Sequence, residues 1–349
     1  MIHFDCDYMA GAHPEVLDAI VRNNLVQTSG YGNDDFCHRA KQLIREACQA
    51  PQADVHFLVG GTQTNSTVLD ALLSRTQGVL AADTAHINAH ESGAIELTGH
   101  KVIALPSHQG RLHADEVRAY LHDFYADDTW PHMVAPGAVY ISYSTEYGTL
   151  YSLSELEALS GVCREYHIPL FIDGARLGFG LAASADVTLP DLARLADVFY
   201  IGGTKMGALF GEAVVCPHPE LLPRFFTLMK AHGAVMAKGR LLGMQFEAFF
   251  TDGLYLRIGR HGVTLAQRLR QAFQAHGYQT FIDSPTNQQF FILPNWLIDQ
   301  LLPHATFEYW GPRGVEESRV RFVTSWETTS ADIEQLEQLL AQSCTSKHS

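Results

Sequence analysis

Lys205 is the residue whose surroundings are hardest to explain without chemistry. The chain has six lysines, at positions 41, 101, 205, 230, 238 and 347, and Lys205 alone follows an apolar run inside an uncharged, glycine-rich segment, Tyr200-Ile201-Gly202-Gly203-Thr204-Lys205-Met206-Gly207. A desolvated amine loses its charge readily and becomes nucleophilic enough to form an imine with an aldehyde. A solvated lysine on a flexible surface loop is the alternative, and the apolar flanks weigh against it.

In open parallel sheets, ligands bind at the carboxyl ends of strands, and four more segments place polar residues just past apolar runs. Phe171-Ile172-Asp173-Gly174-Ala175-Arg176 sets a carboxylate at the end of one such run. An ionised Asp there is costly without a cationic partner. Either Asp173 and Arg176 form a structural pair, or Asp173 keeps a ring nitrogen protonated while Arg176 faces a ligand. Val59-Gly60-Gly61-Thr62-Gln63-Thr64-Asn65 leaves a strand for a helix, and its free N–H groups with a Thr hydroxyl suit a phosphate. The same stretch also fits an ordinary turn with Thr as cap. His86, in Asp83-Thr84-Ala85-His86, offers an imidazole that can stack on a flat ring or shuttle a proton, although one of 18 histidines is weak evidence. In Ser318-Arg319-Val320-Arg321-Phe322-Val323, alternation puts both arginines on one strand face, where one can clamp a carboxylate. A solvated strand face is the plainer reading, and Arg319 fits it better. A phosphate cradle, a strand-end Asp and a strand-end Lys together are what pyridoxal 5'-phosphate requires.

The elements that would position these residues follow from the pattern of apolar runs. Val55–Val59, Gly78–Ala82, Lys101–Leu105, Ala138–Tyr143, Pro169–Asp173, Asp197–Ile201 and Glu212–Cys216 read as strands, alternating with helical patterns such as Thr64–Ser74 and Ser152–His167. That order predicts an α/β domain with a mostly parallel sheet. Ser152 with Glu155 fits a capping box. Leu221–Lys230 and Gly239–His276 read as helices, the second broken near Thr251–Gly253 by the turn pair Asp252-Gly253. Strands at Tyr278–Ile282, Gln288–Leu293 and Arg319–Ser325, with helices at Trp296–Leu301 and Ala331–Gln342, make a smaller α+β unit. The expected division is residues 1–251, an N-terminal arm and large α/β domain, and 252–349, an interdomain helix and small domain. Cys344–Ser349 reads as frayed.

Composition limits the partners. The chain has 349 residues, 46% of them hydrophobic, and a net charge of −14, enough for a large core and unsuited to nucleic acid or an anionic membrane. Six cysteines with no C-x-x-C pair argue against a zinc site and a disulfide framework. No cleavable leader pattern opens the chain and no apolar run reaches membrane-spanning length, which points to the cytoplasm.

With these segments in view, the chain resembles the threonine aldolase and β-eliminating lyase group of fold-type I pyridoxal-phosphate enzymes, nearly end to end. Gly60-Gly61-Thr62 is similar to the group's phosphate loop, Ala82–His86 to its His-bearing segment, Ile172–Arg176 to its Asp-Gly-Ala-Arg signature and Gly203-Thr204-Lys205 to its lysine segment. The resemblance implies that Lys205 carries the cofactor, His86 stacks on its ring and Asp173 pairs with its nitrogen. It also implies that Arg176 lies near the ring hydroxyl and the substrate carboxylate, that Thr204 adds a phosphate contact, and that Arg321 binds the carboxylate. Tyr31-Gly32-Asn33-Asp34 is similar to an N-terminal substrate-side segment, and Lys238 or Arg240 is placed to reach a neighbouring subunit's phosphate site. Where the group has Arg-Ser-Asp this chain has Asp5-Cys6-Asp7, so Cys6 replaces a Ser that helps hold the substrate. Where it has Glu-Asn-Thr-His, this chain has Ser142-Tyr143-Ser144-Thr145-Glu146-Tyr147, without the histidine that handles the hydroxyl proton. His86, Glu146 and Tyr147 are the substitutes. The implied activity is cleavage of threonine or allo-threonine to glycine and an aldehyde by a homodimer or homotetramer. β-Elimination, transamination and a non-catalytic metabolite-binding role are the alternatives.

Overall fold

The computed structural model describes residues 1–346. Seven strands form the main sheet, in the spatial order Asp54–Leu58, Glu212–Cys216, Val198–Gly202, Leu170–Asp173, Ala135–Ser142, Gln77–Ala82 and Lys101–Leu105. The last five are parallel neighbours. The central strands are buried except at Ala135, because helices cover both faces of a parallel sheet, and so they read as continuous apolar runs.

Glu212–Cys216 runs antiparallel to both of its neighbours. Its link to the preceding strand, residues 203–211, is shorter than the crossover of roughly a dozen residues that a parallel return needs. A reversed strand brings its amino end to the edge where the others bring their carboxyl ends. Glu212 therefore sits opposite Gly202 and Leu58, on the edge that also carries Asp173 beside Ser142.

The long C-terminal helical pattern divides into Arg240–Phe250 and Leu254–Ala275, with Asp252 at φ 51° and Gly253 at φ 65° turning the chain between them. Ser152 and Glu155 form the anticipated capping box. Helices Pro14–Arg22, Asp35–Ala47 and Ala114–Ala126 were not read from the sequence, and the helix anticipated at Leu221–Lys230 begins later, at Phe225, after Arg224 turns at φ 60°.

A second sheet, ordered Glu308–Tyr309, Glu317–Val323, Gln288–Pro294 and Gln279–Ile282, is antiparallel and has a core of its own. Helix Leu254–Ala275 serves both cores, with Leu254, Tyr255 and Ile258 in one and Leu265, Leu269 and Phe273 in the other. The first residues of the chain, expected with the large domain, pack elsewhere. Ile2 and Phe4 lie in the second core, and Ile2–His3 pairs with Ala305–Thr306. Two apolar side chains alternating along an extended segment suit a sheet face. This docking carries Asp5–Tyr8 past the edge of the main sheet.

Helix Ser330–Ser346 keeps the main chain of Cys344–Ser346 helical where fraying was expected, and Lys347–Ser349 lie outside the described residues. Among the described residues, no helix is long and apolar enough to cross a membrane.

Candidate active site

Lys205 occupies the single turn Thr204–Met206 that joins the two antiparallel strands. Gly207 leaves this turn at φ 92°, a conformation that favours glycine. Burial and the Arg176 cation hold the Lys205 amine below the ordinary lysine range, against the opposing pull of Asp7, Asp173 and Glu212. Glu212 fixes the turn from beneath: its carboxyl accepts the Gly203 N–H at 3.0 Å and the Thr204 hydroxyl at 2.8 Å. Burial pushes that carboxyl up to about 8. The Thr204 hydroxyl, expected at the phosphate, here serves the buried Glu212 carboxyl, which needs donors.

Asp173 ends the central strand under four donors. Tyr140 OH and Asn65 Nδ2 reach Oδ2 at 2.6 and 2.9 Å, while Tyr200 OH and the Ala175 N–H reach Oδ1 at 2.5 and 2.9 Å. Burial alone would raise this carboxyl. The two tyrosines, the Ala175 N–H and His86 outweigh it and leave Asp173 below the usual range. Gly174 makes the approach possible, since a Cβ there would stand 1.8 Å from the Tyr200 carbonyl oxygen. The Asn65 amide also donates to Glu91 Oε1 at 2.8 Å, and the same oxygen contacts His86 Nδ1 at 2.7 Å. A polar chain therefore runs from Asp173 through Asn65 and Glu91 to His86.

Arg176 is held by Asp7, whose two oxygens accept from Nε at 2.8 Å and Nη2 at 3.0 Å. Asn287 adds a third donor to Asp7 at 2.9 Å. Burial would raise the Asp7 carboxyl, but the Arg176 and Lys205 cations and these donors take it below its ordinary value. Arg321 pairs with Glu308, donates to Gln288 at 3.0 Å and lies 5.1 Å from the Trp310 ring centre, while its Nε is buried without a partner. Cys6 sits between Asp5 and Asp7, half-buried, its thiol pushed up mainly by burial. Next to it, the Tyr8 ring centre lies 6.0 Å from Lys205 Nζ.

One cavity is lined by Gly61, Asn65, His86, Glu91, Ser142, Ser144, Thr145, Glu146, Asp173, Ala175, Arg176, Tyr200 and Lys205. Gly60 is the N-cap of helix Gly61–Leu72 and supplies no side chain to it, and Thr62 is exposed in the first turn. The N–H groups of that turn are open to an anion. Arg321 and Cys6 stand outside the lining. Tyr31 is not brought to it: its surface turn is tied by its N–H to the Ala237 carbonyl at 3.1 Å, and its ring carries the Lys230 ammonium at 4.4 Å. Arg240 donates to the main-chain carbonyls of Asn24 and Val26, and Lys238 is exposed. Among the described residues, His108, His113 and Glu116 are the cluster able to hold a metal ion, and they are exposed and outside this cavity.

Sequence reasoning missed Asp7, Asn65, Glu91, Tyr140, Tyr200 and Glu212. Only the tyrosines left a local signal, since a hydroxyl within an apolar strand must find a partner. Asp7 and Asn65 act on residues more than a hundred positions away, and Glu91 and Glu212 reach theirs across turns of the chain.

A buried nucleophilic amine beside a carboxylate and an anion-binding helix end can hold a phosphorylated aldehyde. The model of the beta-eliminating lyase family matches residues 4–342. The chain belongs to that family. It is 29% identical over 341 residues to a low-specificity L-threonine aldolase from Pseudomonas aeruginosa, covering 96% of this chain and 95% of the relative. It is 40% identical to the solved threonine aldolase of Leishmania major, with a TM-score of 0.94 over 98% of this chain and 99% of that one. Aspartate aminotransferase from Thermus thermophilus, at 14% identity and a TM-score of 0.70 over 98% and 91% of the two chains, shares the fold alone. These family members and fold relatives fit the α/β architecture and the mostly parallel sheet read from the sequence.

Proposed function

We propose that the protein is a pyridoxal-phosphate-dependent lyase that cleaves a β-hydroxy amino acid, threonine or allo-threonine, to glycine and acetaldehyde. The observation that carries this reading is the convergence of Lys205, Asp173, Arg176 and His86 on one cavity. The cofactor fits the residues present. Asn65 Oδ1, Glu91 Oε2 and Ser144 Oγ, all on cavity-lining residues, are buried without partners, as expected of a site built for a polar ligand. Lys205 would bind its aldehyde, Asp173 its ring nitrogen, the N–H groups after Gly60 and Gly61 with Thr62 its phosphate, and the His86 face its ring.

When bound, pyridoxal phosphate supplies a conjugated ring that accepts the electron pair released at Cα. Asp173 would keep a proton on the ring nitrogen, since its four donors favour the ionised carboxylate. The lowered pKa of Lys205 favours the neutral, nucleophilic amine. Arg176, fixed by Asp7, and Arg321, with its unused Nε, would hold the substrate carboxylate and so set the direction of the bond to be broken. The low-specificity threonine aldolase from Pseudomonas aeruginosa supports the choice of substrate.

The protein acts in the cytoplasm as a homodimer or homotetramer. Its described cysteines are free, as a reducing compartment favours, and Tyr8, Met9, Leu17, Val21, Leu25 and Val26 leave an apolar N-terminal surface for a second copy.

Borohydride treatment of the cofactor-loaded protein should leave the reduced adduct on Lys205 by peptide mass spectrometry, and threonine should give glycine and acetaldehyde. A Lys205 without adduct would sink the reading. Pyruvate and sulfide from cysteine, with threonine untouched, would turn it into an eliminase.

A further inference from the structure

The family resemblance leaves open which group receives the substrate's hydroxyl proton, since the usual histidine is missing. We propose that Glu146 takes the proton from the β-hydroxyl, an inference that rests on the aldolase reading above.

Glu146 lies in the turn that follows the central strand Ala135–Ser142 and lines the cavity together with Lys205 and Asp173. Its carboxylate is oriented by two donors, the His86 N–H at 2.9 Å and the Ser142 hydroxyl at 2.8 Å. Both fall on Oε1, so Oε2 is the oxygen left for a ligand.

The turn is rigid. Thr145 N–H bonds the Thr149 carbonyl at 3.0 Å, and the Gly148 carbonyl accepts the Ser284 and Thr286 hydroxyls, each at 3.1 Å, from the smaller unit. Gly148, at φ 69°, has no room for a side chain, because a Cβ would meet Ser284 Oγ at 2.3 Å. A group fixed in this way needs little reorganisation to act.

The competing groups have other roles or lie elsewhere. His86 gives Nδ1 to Glu91, and its ring face is assigned to the cofactor. Tyr147 packs edge-on against Phe290 and Trp310, with ring centres 6.2 and 5.7 Å away, and is absent from the lining. The Asp173 oxygens already accept four donors, and Glu91 is tied through Oε1 to Asn65 and His86. Burial raises the Glu146 carboxyl, which strengthens it as a base, while the Ser142 hydroxyl and the main-chain N–H groups of Glu146 and His86 favour the ionised form.

In the step, Oε2 takes the hydroxyl proton, the C–O bond becomes the aldehyde C=O, and the Cα–Cβ bond breaks with its electron pair going to Cα. The proton on Glu146 returns to solvent and one proton is delivered to Cα, so substrate and products balance.

Glu146→Gln keeps the shape and removes the base. In the cofactor-loaded variant, threonine cleavage should fall by about 10²–10⁴-fold. Exchange of glycine's α-hydrogens in D2O, followed by NMR, needs no hydroxyl proton transfer and should stay within a few-fold of wild type. Threonine should still bind in equilibrium dialysis and be recovered intact. Cleavage within about five-fold of wild type would overturn the assignment, as would loss of glycine exchange along with cleavage. Wild-type protein that exchanges glycine hydrogens yet leaves threonine and allo-threonine whole would overturn the aldolase reading and this inference with it.

Discussion

Asp7 grips Arg176 through two parallel hydrogen bonds, 2.8 Å to Nε and 3.0 Å to Nη2, across 169 residues of chain. Both side chains are largely shielded from water, so the pair sets the direction of the guanidinium as well as neutralising it. Asp7→Ala should leave an unpaired buried cation and destabilise the fold by about 3–5 kcal/mol. Urea unfolding monitored by fluorescence checks this, and an unchanged midpoint would show that the pair does not hold the fold.

Asp173→Asn removes the charge and keeps most of the side-chain volume. Threonine cleavage should drop by at least about a hundred-fold, because a neutral amide does not favour a protonated ring nitrogen. Steady-state kinetics at saturating cofactor provide the measurement. A variant with wild-type kcat would remove Asp173 from the mechanism.

Arg321→Gln should raise KM for threonine by about ten- to a hundred-fold, the range expected when a charged hydrogen bond to a carboxylate is lost. The fold should tolerate the change, because Glu308, its ion-pair partner, is 43% exposed and can be solvated. An unaltered KM would assign Arg321 a purely structural bond to Glu308.

Glu212 has a folded-state pKa near 8 against an ordinary value of 4.5. Below the lower value the carboxyl is protonated in both folded and unfolded chains. Between the two, only the folded chain holds the proton, so this group's contribution to stability falls by roughly 1 kcal/mol per pH unit as pH rises. Above about 8 the loss is complete. Glu212→Gln, neutral throughout, should lack this slope. Urea midpoints of the cofactor-free proteins at pH 5, 6, 7 and 8 should therefore converge or cross, and parallel curves would refute the assignment.

The strand ends bearing Asp173, Lys205 and His86 were legible from the chain alone, because apolar runs that give way at once to polar residues, with glycines beside Asp173 and Lys205, signal a sheet edge. Gly174 carries a signal of the same kind, since only a missing side chain lets residue 174 pass the Tyr200 carbonyl. Thr204 and Tyr31 have contacts that the chain alone did not reveal. A buried Glu212 faces Thr204 from a reversed strand, and Tyr31 lies on a surface turn under Lys230.

Local order thus determined which side chains stand at the edge of the sheet, since strand termini and tight turns depend on near neighbours. Tertiary structure alone decided their partners: Asp7 for Arg176, Asn65 and two tyrosines for Asp173, and His86 with Ser142 for Glu146. Most of those contacts join residues dozens to well over a hundred positions apart, and no sequence pattern encodes them, because a buried charge needs its donors close in space and not along the chain.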